Sequence, residues 1–265
     1  MTHQEDPIPL LLLRGWMRDA RHWEEFPAQL QAGLDRAGLP VSVECWDLPG
    51  NGPRCGEITP DRIEYMAARL SEERPLVPHL VVGLSMGGMI GAEWARSCPH
   101  WVKGLILINS SMRPFAHPWE RLRPGVWPEV LRHAWGDASR REPLIARLTL
   151  AHEHRTGPRL QQWQDWAENH PVSLKNTLRQ LKAAASYRYR GRAPTCPVHV
   201  LVGEADQLVN PVCSKRLADA WHVPIARHPS GGHDLPLDAS EWTRDQVVRA
   251  CQTMLGSGDG REAVA

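Results

Sequence analysis

No stretch of the 265 residues approaches the ~18 consecutive apolar positions that a membrane-spanning helix requires. Neither charge sign dominates. The 31 Lys and Arg against 30 Asp and Glu leave a formal net charge of +1, which gives no overall reason to expect nucleic acid or an acidic membrane surface as a partner. Six cysteines (Cys45, Cys55, Cys98, Cys196, Cys213, Cys251) form no CxxC pair and show no zinc-ligand spacing, so reduced thiols are expected. The opening MTHQEDPIPLLLLRGW places Glu5 and Asp6 where an export signal carries Lys or Arg, and its apolar run stops at Arg14. It reads as a buried strand of a cytoplasmic protein. There is no internal repeat. What is present, 42% hydrophobic and 23% charged residues, suits one globular domain with a real core and room for an inserted subdomain.

The first half alternates apolar runs with helical periodicity. Ile8 to Leu13 reads as a strand, and about Arg21 to Gly38 as a helix, with Trp23, Phe26, Leu30 and Leu34 at helical spacing. Val41 to Trp46 is a second strand, leaving through Asp47-Leu48-Pro49-Gly50-Asn51-Gly52. Thr59 to Arg74 is helical, Leu80 to Leu84 a third strand, Met86 to Ser97 a helix, and Gly104 to Asn109 a fourth strand. Such alternation predicts a parallel sheet covered on both faces. From Ser111 to about Arg192 no strand is evident, only Trp-, Arg- and Pro-rich helical stretches. Strands return at Val198 to Val202 and Val223 to Arg227, with helices around Cys213 to Trp221 and Ser240 to Met254. The tail from Gly256 to Ala265 lacks apolar periodicity and is expected to be disordered.

The chemical signal is Gly83-Leu84-Ser85-Met86-Gly87, a G-x-S-x-G between an apolar strand and a helix. A serine presented on so tight a turn needs neighbours without bulk, and the helix N-terminus behind it offers N–H groups to developing negative charge. A glycine-rich strand-to-helix turn is the plain alternative for the five residues alone. A serine nucleophile needs a base that is itself oriented by an acid. Asp206, in VLVGEADQLV, follows a strand end, and His233, in SGGHDL, lies on a glycine loop after the last strand. The expected set is therefore Ser85, Asp206 and His233. Glu204 and Asp234 compete for the acid role; Asp234 is better read as fixing the loop of His233. His152 and His154 have no third ligand for a metal. For the oxyanion, the backbone N–H of Met86 is one expected donor, and that of Trp16, after the first strand, the other.

Arg14-Gly15-Trp16, Asp47 to Gly52, the Ser85 elbow, Asp206 and His233 together resemble the α/β-hydrolase superfamily over nearly the whole chain. Within it, Gly15-Trp16 and GLSMGG are similar to the pimeloyl-[acyl-carrier-protein] methyl ester esterases and small carboxylesterases. The resemblance implies an α/β-hydrolase fold with an inserted helical cap: core over 1–110 and 193–255, cap over 111–192, tail over 256–265. Only 13 residues precede Arg14, too few for two N-terminal strands, so a mainly parallel sheet of about six strands is implied. Arg14 stands where the family usually has histidine, so a loop-stabilising hydrogen bond must be made differently. The implied activity is ester hydrolysis through an acyl-enzyme on Ser85, without metal or organic cofactor. A lyase or acyltransferase using the same triad remains open, as does a non-catalytic binding protein. The similar menaquinone-pathway lyases typically carry Arg after the double glycine, where this chain has Met89, and Ser85 argues against families that use an Asp nucleophile.

Residues 111–192 hold 15 Lys and Arg against 7 Asp and Glu, whereas the rest holds 16 against 23. A basic cap thus sits on an acidic body. This would attract an anionic substrate or an acyl carrier protein, with Arg140, Arg141, Arg147, Arg155 and Arg159 as candidate contacts. Solvated helix faces, with Arg stems over tryptophans, account for the same charges without a partner. Trp119, Trp127, Trp135, Trp163 and Trp166 either line an acyl pocket or pack the cap. Asn176, Arg179 and Gln180 share one helical stretch with no evident purpose.

Overall fold

The computed structural model describes residues 6–129, 137–150 and 157–256. Six strands, β1 (Ile8–Leu13), β2 (Val41–Trp46), β3 (His79–Leu84), β4 (Val102–Ile108), β5 (Val198–Gly203) and β6 (Ile225–His228), form one sheet in the order β2-β1-β3-β4-β5-β6. Every neighbouring pair is parallel, with Leu10 beside Leu80 and Leu105 beside Val198. The expected sheet of about six strands is therefore present, and it is parallel throughout.

Alternation along the strands divides the core. Leu11, Leu13, Val81, Leu105 and Leu107 face α2 (Ile63–Glu73), α3 (Met86–Ser97) and α7 (Val212–Trp221), meeting Ile63, Leu70, Ile90, Trp94 and Leu217. Leu10, Leu12, Leu80, Val82 and Ile106 face α1 (Phe26–Arg36) and α8 (Ser240–Gly256), meeting Phe26, Leu30, Leu34, Val247 and Met254. Successive strand residues point to opposite faces, so these uninterrupted apolar runs require helices on both sides.

Two helical expectations shift. The segment from Arg21 splits into a short turn over Ala20–Trp23 and α1, because Glu24 adopts φ 50° and Pro27 opens a new helix. Likewise α2 begins at Ile63 and not at Thr59: Thr59 is fully buried, its hydroxyl donating to the Pro49 carbonyl at 2.6 Å, and it belongs to the preceding loop.

Between β4 and β5 lie α4 (Ala138–Thr149), α5 (Pro158–Asn169) and α6 (Leu174–Ser186), with a short helix at Pro118–Arg121. Helices α4 and α5 pack on each other through Ala146, Leu150 and Trp163. Arg155, Trp135, His152, His154 and the tail beyond Gly256 lie outside the described residues. No helix among the described residues is long and apolar enough to cross a membrane.

Candidate active site

Ser85 sits between β3 and α3 at φ 55°, ψ −116°, a conformation that L-residues rarely adopt. The turn exists because its flanks are bare. A Cβ on Gly83 would meet the Gly88 Cα at 2.5 Å, and one on Gly87 would run into the Leu13 carbonyl. The Ser85 amide donates to the Ile108 carbonyl at 2.9 Å, and the Ser110 hydroxyl donates to the Ser85 carbonyl at 2.8 Å. The elbow is thus tied to the end of β4. Its Met86 amide occupies the first helical position, where no preceding carbonyl is available to accept it.

His233 and Asp206 come together from separate loops. The His233 Nδ1 lies 2.7 Å from the Asp206 Oδ2, and both residues are buried. The other oxygen, Asp206 Oδ1, accepts the Leu208 and Val209 amides at 2.8 and 2.9 Å. Burial pulls the His233 pKa down, but the charge and hydrogen bond of Asp206 outweigh it, so the pKa is raised above the ordinary imidazole value. The loop carrying His233 is clamped by Asn109, at the end of β4 with φ 46°. Its side chain donates to the carbonyls of Gly232 and His233 at 3.0 and 2.8 Å and accepts the Gly203 amide at 2.9 Å.

Of the competitors for the acid role, Glu204 is held by Lys215 and Arg227, away from His233. Asp234 takes both terminal nitrogens of Arg14, at 3.1 and 2.6 Å, and the pair is buried with the guanidinium over the Trp23 ring. This bidentate pair joins the loop after β1 to the loop of His233. It is the alternative hydrogen bonding that Arg14 was expected to demand.

Gln180 and Asn176 account for the helical stretch without evident purpose. Gln180 Oε1 accepts the Met17 amide at 2.9 Å, and its Nε2 donates to Asn51 Oδ1 at 2.6 Å. Asn176 accepts the Thr59 amide at 3.0 Å and donates to the Glu57 carbonyl at 2.8 Å, while Arg179 donates to the Thr59 carbonyl. The Trp16 indole donates to the Thr177 carbonyl at 3.2 Å. Helix α6 therefore holds the loop on which the Trp16 amide is carried. In the sequence these polar residues have no visible partner; the signal that marks them is two amide side chains four residues apart, hence on one helix face.

Two cavities meet at Ser85. One, of about 70 Å³, is lined by Trp16, Ser85, Arg18, Arg141, His233 and Asp234 among others. The second, of about 150 Å³, is lined by Trp16, Ser85, Met86, Met89, Trp127 and Leu181 among others. Of the described cap tryptophans, Trp127 lines the second cavity, whereas Trp163 is fully buried against His22 and Arg18, Trp166 packs beside His22, and Trp119 is exposed. The cap arginines part company too. Arg140 is exposed, Arg147 pairs with Glu129, Arg159 pairs with Glu24 at 2.9 Å, and Arg141 is buried in the cavity wall. No group of three or more potential metal ligands occurs among the described residues.

A profile described as "Alpha/beta hydrolase family" matches residues 10–247, which is most of the chain. The chain belongs to the alpha/beta hydrolase family. A pimeloyl-[acyl-carrier protein] methyl ester esterase of Yersinia pseudotuberculosis serotype IB is similar, at 28% identity over 260 residues, covering 91% of this chain and 96% of the relative. Among solved structures, a hydrolase from Pseudomonas aeruginosa PA01 superposes with a TM-score of 0.73 at 16% identity, over 95% of this chain and 91% of the other. A thermophilic esterase from Thermogutta terrifontis does so with a TM-score of 0.69 at 21% identity, over 94% and 90%. These likenesses establish an α/β-hydrolase fold for this member of the family.

Proposed function

We propose that this alpha/beta hydrolase cleaves carboxylic esters through an acyl-enzyme formed on Ser85. The observation that carries the reading is that Ser85, on its strained turn, lines the same cavity as His233, whose Nδ1 is held by a buried Asp206. Asp206 fixes the tautomer that leaves His233 Nε2 free toward the cavity. His233 takes the Ser85 hydroxyl proton as the oxygen attacks the acyl carbonyl. The amides of Met86 and Trp16 receive the oxyanion, and His233 returns the proton to the departing alkoxide. Water then attacks the acyl-enzyme by the reverse transfers, releasing the acid and free Ser85.

The similar relative's name adds a narrower version, a carrier-linked acyl methyl ester. Of the five candidate arginines, Arg140, exposed at the start of α4 and without an ion pair among the described residues, is the described one available to such a carrier.

Hydrolysis of p-nitrophenyl acetate and butyrate by wild type and Ser85→Ala tests the proposal. Turnover by wild type that disappears in the variant is expected; equal turnover by both would contradict it. Modification of Ser85 by acylating reagents with no net hydrolysis would move the reading to acyl transfer or lyase chemistry.

A further inference from the structure

The cavity holding Ser85 and His233 is mostly apolar, yet its wall contains three buried arginines, Arg14, Arg18 and Arg141. Their counter-charges are unequally shared. Asp234 is taken by Arg14 through both oxygens. Glu142, behind the wall, is taken by Arg18 Nη1 at 2.5 Å, and Arg141 reaches it only through Nε at 3.4 Å. Asp206 is occupied by His233 and two amides. The two terminal nitrogens of Arg141 therefore have no acceptor among the described residues, and Arg18 Nη2 is buried without one.

A buried guanidinium that is incompletely paired is destabilising until something supplies the missing acceptors, most of all at Arg18 Nη2, which is shielded from solvent. Both such groups border the cavity that would receive the ester. Neither is a surface charge: Arg141 is 8% exposed and Arg18 is 7% exposed.

We infer that Arg141, with Arg18 Nη2 beside it, forms an anion subsite inside this cavity, and that the substrate is an ester bearing a carboxylate. The inference rests on the ester-hydrolase reading and deepens it. A carboxylate is planar, carries the opposite charge and offers paired oxygens to the fork of a guanidinium. The rest of the lining, including Leu84, Leu144, Ile145 and Leu148, would take the hydrocarbon between the carboxylate and the scissile carbonyl. Arg141 is thus assigned a role in substrate selection apart from docking at the cap's outer surface.

The test compares matched esters. One pair places the charge on the acyl half, mono-p-nitrophenyl glutarate against p-nitrophenyl valerate. The other places it on the leaving half, para-acetoxybenzoate against its methyl ester. Wild type should favour the charged member of one pair by roughly 10- to 100-fold in kcat/KM, the worth of a charge-assisted hydrogen bond, mainly through KM. Arg141→Met should remove that ratio and Arg141→Lys should recover part of it. The pair that responds identifies the half of the ester that enters this cavity. Free glutarate should also inhibit valerate ester hydrolysis by wild type competitively, a readout independent of how the variants fold. Turnover of neutral esters with no gain for either charged one and no inhibition by glutarate would overturn the anion subsite alone. Failure to hydrolyse any of the four would overturn the ester-hydrolase reading and this inference with it.

Discussion

The groups buried between the sheet and its two helix layers are mainly aliphatic and aromatic, whereas those buried between the cap and the body carry amides and charges. Val82, Ile106, Leu30 and Val247 are typical of the first region. Gln180 with Met17 and Asn51, Asn176 with Thr59, and Arg18 with Glu142 are typical of the second. Apolar packing is insensitive to direction and yields a rigid platform that fixes strand ends. Buried hydrogen bonds demand particular geometry and cost free energy if unmade. The body thus fixes where Ser85, Asp206 and His233 stand, and the polar seam fixes how the cap and the Trp16 loop meet them.

If this division is right, the largest effect comes from the body's own His233–Asp206 pair. Asp206→Asn should lower kcat on order of 10⁴-fold without a comparable loss of folding, as measured by steady-state kinetics beside thermal melting. The pH profile supplies a second readout. His233 must be neutral to act as base, and its pKa is raised by Asp206 despite burial. Wild-type kcat/KM should therefore fall on the acid side with a midpoint above about 6.5. Asp206→Asn should move that midpoint lower.

Next comes the sheet itself. Ile106→Ala, at a fully enclosed position of β4, should cost about 2–5 kcal/mol in denaturant unfolding while the activity per folded molecule stays near wild type. Such a result separates platform from seam.

Gln180→Leu addresses the seam. If the Trp16 amide receives the oxyanion as proposed, losing the acceptor of the Met17 amide should lower kcat by roughly 10²-fold by displacing that loop, with KM for small esters much less affected. Gln180→Glu, which keeps an acceptor for Met17, should recover part of kcat. A change in KM alone would place Gln180 in substrate binding and break the comparison. The smallest effect is expected at the cap's outer face, where Arg140→Glu should alter turnover of small esters by less than about twofold.

The same division explains what could be read from the chain beforehand. The strands were legible because runs such as Leu10 to Leu13 are apolar on both faces, and the order Ser85, Asp206, His233 could be placed at strand ends from local pattern alone. The seam was not legible, because its partners are remote: Arg14 meets Asp234 across 220 positions and Gln180 meets Met17 across 163. Arg140 and Arg141 look identical in sequence, but one residue along a helix turns the side chain by about 100°, enough to put one outside and the other in the cavity wall. In the sequence Asn109 is only the end of a strand. Its clamp on the loop of His233 depends on a loop more than a hundred residues later.

The most direct test of the central claim is the site of attack by an active-site-directed fluorophosphonate, located by peptide mass spectrometry. One adduct per chain on Ser85, absent from Ser85→Ala and strongly slowed in His233→Ala, is the predicted result. Labelling at another residue, or at an undiminished rate without His233, would contradict it.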